Sequence, residues 1–423
     1  MWPFHALSHV CQRWRHILFA WPNHLDLRLA CTSGTAASKA LDVWPTLPIS
    51  LRSILNRNAP GGDDIISALE HRNRISGIDL LSLTKRQLKR CATLMQEQFH
   101  SLKTLCLSCR AEVRDVPVIT DTFLGGSAPR LQMIELCHIP FPTLPKLLLS
   151  ANYLVRLSLE DITRAGYISP DVMATCLAML TRLDSFNISF RSWRSFPNRI
   201  TRHAPLTRAV LPVLTGFVFE GVSEYSEELM ARIDAPSLCC LHLKFFHQPA
   251  LEIPQVPHFI HRIQKFKPPI EAYVFFCCDA VSVFLFVSRD TSFFLQPQCT
   301  GIDRQLSSLE QIYTQCSSIF SRAVKLHISW GGGAQVYQSM SWLGCLRPFN
   351  SVQILHVSDG KEELLIHIAR VLGELDGEGA VEVLPILHTL TFSRFHFIRR
   401  EVVPLLKPFV DARRQSGHPV AVE

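Results

Sequence analysis

Residues 128–137 read Ala128-Pro129-Arg130-Leu131-Gln132-Met133-Ile134-Glu135-Leu136-Cys137. Leu131, Ile134 and Leu136 follow one rule: apolar, two residues, apolar, one residue, apolar. Around them Met133, Glu135 and Cys137 fall on the alternate positions, and a period of two marks a half-buried strand. Pro129 ends whatever helix precedes it and suits the approach to a strand. The same rule returns as Ile75-Ile78-Leu80, Leu102-Leu105-Leu107, Leu154-Leu157-Leu159, Leu183-Phe186-Ile188, Leu214-Phe217-Phe219 and Leu238-Leu241-Leu243. Further copies are Ile270-Tyr273-Phe275, Ala323-Leu326-Ile328, Val352-Leu355-Val357 and Leu387-Leu390-Phe392. Most begin roughly 23 to 35 residues apart, the spacing of stacked repeats.

Proline enters three other copies, at Pro212, Pro236 and Pro385. Helical periodicity fills the gaps at 171–180, 226–233, 308–318 and 362–375. Each unit is then a helix, a break and a strand. One such unit cannot bury its own apolar side, and stacking solves that problem. The fold class expected is α/β, an irregular solenoid with a curved, largely parallel sheet and outer helices. A conventional α/β domain with a mixed sheet is the alternative. From about residue 75 to the C-terminus the array resembles the irregular leucine-rich repeats of F-box proteins. The slot that usually holds Asn or Cys after the strand has Arg110, Ile139, Ile162 and Arg191 instead.

Upstream, Leu25, Leu27 and Leu29 alternate as a strand, and Ile49 and Leu51 do so again. Before them lies Val10-Cys11-Gln12-Arg13-Trp14-Arg15-His16-Ile17-Leu18. As a helix it puts Val10, Cys11, Trp14 and Leu18 on one side, an apolar face that needs a partner surface. This stretch resembles the last helix of an F-box, and Leu41 to Ile49 resembles a segment that follows the box in fungal, basidiomycete-type F-box proteins. The resemblance implies a Skp-family adaptor as partner, gripped through Val10, Cys11, Trp14 and Leu18. It implies a non-catalytic substrate-recognition role in an SCF-type (Skp-cullin-F-box) ubiquitin ligase. The Leu-Pro segment and the two helices that normally open the box do not precede this one. A late start in the sequence or lost Skp binding are the two expectations that follow. In the second case the chain is a protein-binding module without a ligase role. The organisation expected is a partial F-box at 1–24, a linking segment and first cap at 25–74, and the array at 75–423. An irregular insertion falls at about 249–307, and the tail is expected to fray from Gln415.

Composition limits the function classes. At 47% hydrophobic and 19% charged, the chain has material for a continuous core. Its formal charge of +7 is spread out, without a basic stripe interleaved with aromatics, so nucleic acid is not an expected partner. The 14 cysteines form no disulfide framework and several sit in apolar runs, which fits a reducing cytoplasm or nucleus. Residues 270–287 are the longest apolar stretch, but Glu271 and Asp279 interrupt it. It reads as two strands with a turn near Cys278 and Asp279, and no membrane partner is expected. Cys106 and Cys109 have half the spacing of a zinc site and lack a second pair. Gly331-Gly332-Gly333 lacks the Lys and Ser/Thr of a phosphate loop. No cofactor, metal or catalytic residue is expected, and the chain is not expected to be an enzyme.

The alternate positions of each strand point to the open face, so they are the candidate target-binding residues. They are Glu135, Arg156, Glu160 and Asn187 in the first half, then His242, Lys244, Lys325, His327 and His356. Ser158, Ser185, Ser189, Ser358, Thr389 and Thr391 lie beside them. Such a broad polar face suits a protein segment better than a small molecule.

Overall fold

The apolar positions of the repeat become the buried side of a sheet. In a computed structural model of the chain, the residues described are 27–31, 48–53, 62–110, 115–197, 207–248, 250–266, 271–331, 342–359, 363–375, 379–393 and 395–423, with 11–13, 16 and 112. The fold is α/β. Two units form, Met1–Asn198 and Arg199–Glu423, and the strands described within each pair largely in parallel.

In the first unit seven strands follow one another in chain order. They are β1 (Leu27–Cys31), β2 (Ile49–Ser53), β3 (Ile75–Leu83), β4 (Thr104–Cys109), β5 (Met133–Cys137), β6 (Arg156–Ile162) and β7 (Ser185–Phe190). Each pairs in parallel with the next. The register aligns the repeat: Ile78, Leu105, Ile134, Leu157 and Phe186 lie side by side, all buried. Helices α1 (Gly62–Leu69), α2 (Lys85–Leu94), α3 (Leu144–Leu148) and α4 (Pro170–Met179) fill gaps between strands. Helix α2 starts where Thr84 and Gln87 cap one another, each accepting from the other's backbone N–H. Ser169 caps α4, with Pro170 at its first position. The pairing slips after Leu80 and again after Leu159. There Ser82 and Asp161 take φ of 55°, the left-handed turn that absorbs the extra residues of a bulge.

The second unit has the order β9-β11-β14-β13-β12-β15-β16-β17-β18. A separate parallel pair, β8 (Ala209–Val210) and β10 (Ile233–Asp234), lies outside it. Strands β9 (Gly216–Gly221), β11 (Cys240–Phe245), β15 (Lys325–Trp330), β16 (Ile354–Asp359), β17 (Thr389–Phe392) and β18 (Ala421–Val422) belong to the parallel part. Between them sits an antiparallel meander of β12 (Glu271–Phe276), β13 (Val281–Ser288) and β14 (Thr291–Pro297). Its outer strands pair in parallel with β15 and β11. The two-strand reading of residues 270–287 is therefore seen, and β14 was not expected.

Two expectations are corrected here. The copy written Ile270-Tyr273-Phe275 has its register displaced by one residue. Ala272, Val274 and Phe276 are the buried positions, beside Leu326 and Ile328, and Tyr273 and Phe275 face the other way. Because side chains alternate, a slip of one residue exchanges the two faces of a strand. The tail does not fray at Gln415. It returns as β18, with Ala421 N–H bonded to His388 O at 2.9 Å and Glu423 N–H to Leu390 O at 2.9 Å.

Helices of this unit are α5 (Ser223–Arg232), α6 (Gln255–His261), α7 (Ile302–Gln315), α8 (Ser317–Phe320), α9 (Trp342–Leu346), α10 (Glu363–Gly373), α11 (Gly379–Glu382) and α12 (Phe395–Gln415). Buried polar groups hold the irregular parts. The Glu227 carboxylate accepts from Gln255 N–H at 2.7 Å and Val256 N–H at 3.2 Å, where α6 begins. Gln311 and Gln315 of α7 accept from Leu251 N–H and Ile253 N–H at 2.7 and 2.6 Å. Arg413 is wholly buried, and its guanidinium donates to the carbonyls of Ala380, Leu384, Pro385, Leu387 and His418. Five accepting carbonyls offset what burying that charge costs.

Candidate functional site

The open face differs between the units, and each is built from alternate strand positions. In the first unit one register row carries Arg52, Asp79, Cys106, Glu135, Ser158 and Asn187. Neighbours along it bond to each other. Arg52 pairs with Asp79 at 2.9 Å. The Cys106 thiol donates to Glu135 at 3.6 Å, and Arg156 approaches the other Glu135 oxygen at 3.8 Å. Asn187 donates to Ser158 at 3.0 Å and to Glu160 at 2.9 Å, and Ser158 donates to Glu160 at 2.9 Å. The structure thus brings together Glu135 with Arg156, and Glu160 with Asn187. Burial first, then the Glu135 charge, pushes the Cys106 thiol up to about 12, so it stays protonated and unreactive. Cys109 lies on the buried side, so the two thiols do not converge on a metal.

At the ends of these strands lies a feature the sequence did not point to. His138 is 1% exposed with φ of 56°. Its Nδ1 donates to Arg110 O at 3.0 Å, its backbone N–H bonds Glu160 O at 2.9 Å, and its Nε2 accepts from Arg191. Arg110 in turn donates to Ser82 O at 3.1 Å. Arg110 and Arg191 are two of the residues noted above in the slot after the strand. There arginine and a buried imidazole satisfy turn carbonyls.

The second unit's face is aromatic. His242, Phe294, Phe284, Tyr273, His327 and His356 occupy one row across β11, β14, β13, β12, β15 and β16. Their rings touch in succession. His242 meets Phe294 edge-on at 5.6 Å, and Phe294 lies 4.4 Å from Phe284. Phe286 links Phe284 to Tyr273, at 6.3 and 5.3 Å. Tyr273 stacks on His327 at 4.2 Å with planes 4° apart, and His327 lies 5.3 Å from His356. Offset and edge-on contacts of this kind add to the stability that burial alone supplies. Beside the row, Glu271 accepts from the Tyr273 hydroxyl at 2.8 Å and from Lys325 at 3.3 Å.

These contacts set the titration of the face. Burial pulls the His242, His327 and His356 imidazoles below their ordinary value, helped by Lys244 at His242 and by His356 at His327. The Tyr273 hydroxyl, then Lys325, holds the Glu271 carboxyl below the usual range. Burial first, then Glu271, raises the Tyr273 hydroxyl. At neutral pH the row is a strip of uncharged rings.

The structure places Glu135, Arg156, Glu160, Asn187, His242, Lys244, Lys325, His327 and His356 at strand positions alternate to the buried ones. The set is not continuous, because His242 and Lys244 on β11 are four strand positions from Lys325 and His327 on β15, about 19 Å at about 4.8 Å per strand. What fills that interval, Phe294, Phe284 and Tyr273, was missed. A residue-by-residue alternation that began at Glu271 would have found Tyr273. Of the N-terminal set, Cys11 is exposed, and Val10, Trp14 and Leu18 lie outside the described residues. No described helix is long and apolar enough to cross a membrane. A scan of protein-family models finds no match to this chain, and a search of curated proteins finds none either.

Proposed function

We propose that the chain is a non-catalytic protein-binding adaptor, built as an irregular leucine-rich-repeat-like solenoid and serving as the substrate-recognition component of an SCF-type ubiquitin ligase. One observation carries the binding half. Parallel strands spaced in register present rows of half-exposed side chains on an open face, while their alternate positions are buried under helices. Five half-exposed rings set around the buried Phe294 on such a face have area and rigid anchors, the attributes of protein contact surfaces. The ligase half rests on the likeness of residues 10–17 to the closing helix of an F-box, with Val10, Cys11, Trp14 and Leu18 against a Skp-family adaptor. Its mechanism would be proximity, holding a captured protein beside a ubiquitin-charged enzyme.

Pull-down of a Skp-family adaptor by the full chain tests the ligase half. Recovery from the wild type and its loss in Trp14→Ala is the expected result. Equal recovery in both, or none in either, removes the ligase role. Crosslinking from Lys244 and Lys325 in cell extract tests the binding half. A protein crosslinked through these lysines is expected, and crosslinks confined to other lysines would move the binding surface elsewhere.

A further inference from the structure

The ring strip of the second unit has a charge balance that restricts its occupant. Among the described strand residues from β9 to β17, the open face carries two cations, Lys244 and Lys325, and two anions, Glu220 and Glu271. Register sets Lys244 beside Glu220 and Lys325 beside Glu271. With neutral imidazoles the face therefore sums to zero. We infer that this face docks an uncharged, extended protein segment with apolar side chains, and that mild acid releases it. The inference rests on the protein-binding reading above and adds the partner's chemistry and its regulation.

The partner follows from complementarity. A charged segment laid on the rings would lose its water on a face whose Lys325 already bonds Glu271 at 3.3 Å and whose Lys244 lies across from Glu220, so it finds no net counter-charge in return. An apolar one gains ring contacts at no such cost. The row crosses five inter-strand steps, about 24 Å, which matches about seven extended residues.

Release follows from what surrounds each imidazole. His242 faces Lys244 on its own strand, Val218 and Glu220 on β9, and Phe294 and Gln296 on β14. His327 faces Lys325 on its own strand, Glu271 and Tyr273 on β12, and His356 on β16. His356 faces Thr391 on β17 and bonds the Ser393 hydroxyl at 3.2 Å. Among the described residues, the carboxylate within reach of His327, that of Glu271, is already shared by Lys325 and the Tyr273 hydroxyl. An apolar segment would strip the remaining water from all three rings and penalise their charged forms further. Proton and segment then compete, because whatever lowers proton affinity on binding must lower segment affinity on protonation.

The test selects random peptides of about twelve residues on the full chain at about pH 7.5 and measures their Kd again at about pH 5.5. Uncharged, apolar sequences are expected, binding about tenfold more weakly at the lower pH. Tyr273→Ala should weaken binding about tenfold, while Tyr273→Phe, which keeps the ring, should bind as the wild type does. The pair His327→Phe with His356→Phe should bind at both pH values with most of the pH dependence gone. Selected peptides rich in Asp, Glu, Lys or Arg would overturn the inference. So would equal Kd at the two pH values, or a single-stranded oligothymidine that displaces the peptides from the strip. Peptides that ignore both Tyr273 variants sink this inference alone. Failure to select any peptide sinks the protein-binding reading with it.

Discussion

The two units solve the same problem on one side of their sheets and different problems on the other. Beneath β5 lie Ile134 and Leu136, and beneath β11 lie Leu241 and Leu243, buried alike. Above β5, Glu135 joins Cys106 and Arg156 in a hydrogen-bonded chain. Above β11, His242 meets Phe294 in a row of rings. The lesson is that the repeat specifies the buried face and leaves the alternate positions free. Polar side chains there spend their bonding on each other, as Asn187 does on Ser158 and Glu160. The rings contact one another through their faces and edges and stay half-exposed, except for the buried Phe294.

The shared side gives the largest expected effect. Leu136→Ala and Leu243→Ala should each cost about 2–5 kcal/mol, since both remove a buried side chain and leave a cavity. Urea unfolding followed by amide exchange on β5 and β11 would measure this. If one substitution were nearly neutral, the units would not be built alike beneath the sheet.

The open sides should respond less, and unequally. Tyr273→Ala should cost about 1–2 kcal/mol, because the ring stacks on His327 and its hydroxyl bonds Glu271. Tyr273→Phe should recover most of that loss. A full loss in Tyr273→Phe would assign the effect to the hydroxyl and turn the second face into a polar network like the first.

Acid should separate the units next. His242, His327 and His356 are held below their ordinary value of 6.5 in the fold. A depressed value means that the unfolded chain binds protons more readily. The three groups favour the fold fully above about pH 6.5, and that contribution is lost as pH falls through their folded values. Amide protection on β11, β12, β15 and β16, taken relative to the intrinsic exchange rate at each pH, should fall between about pH 6.5 and pH 5. Replacing His327 and His356 together by Phe should remove most of that change. Loss of protection that persists in the double variant would place its origin outside the row.

How much of this was legible in the sequence follows from what each pattern encodes. The helix-break-strand rhythm placed the parallel strands because leucines at fixed spacing have one inward solution, as at Leu102, Leu105 and Leu107. It misplaced β12 because Ala272 is small and Tyr273 and Phe275 are large, so hydrophobicity pointed the strand the wrong way. Register there comes from pairing with Leu326 and Ile328, far along the chain. The ring row was hidden for the same reason, since its six members come from six strands and two directions. His138 was hidden because its role lies in backbone carbonyls, which no side-chain spacing records. The tail was misread because β18 is only two residues long and depends on β17 for its partner.

The smallest effect separates bonded from merely adjacent groups within the first face. Asn187→Ala should cost about 1 kcal/mol, since Ser158 is nearly buried and loses the donor that reaches its hydroxyl. Arg156→Ala should cost about 0.5 kcal/mol or less. Its guanidinium stands 3.8 Å from Glu135, with side chains 52% and 41% exposed, so water screens the pair and each group is solvated without the other. Added salt should leave the Asn187→Ala loss unchanged and erase what remains of the Arg156→Ala loss. A salt-insensitive loss above about 1.5 kcal/mol for Arg156→Ala would mean that the pair is shielded from water. The first face would then hold a desolvated charge of its own, and the contrast with the ring strip would rest on shape rather than on polarity.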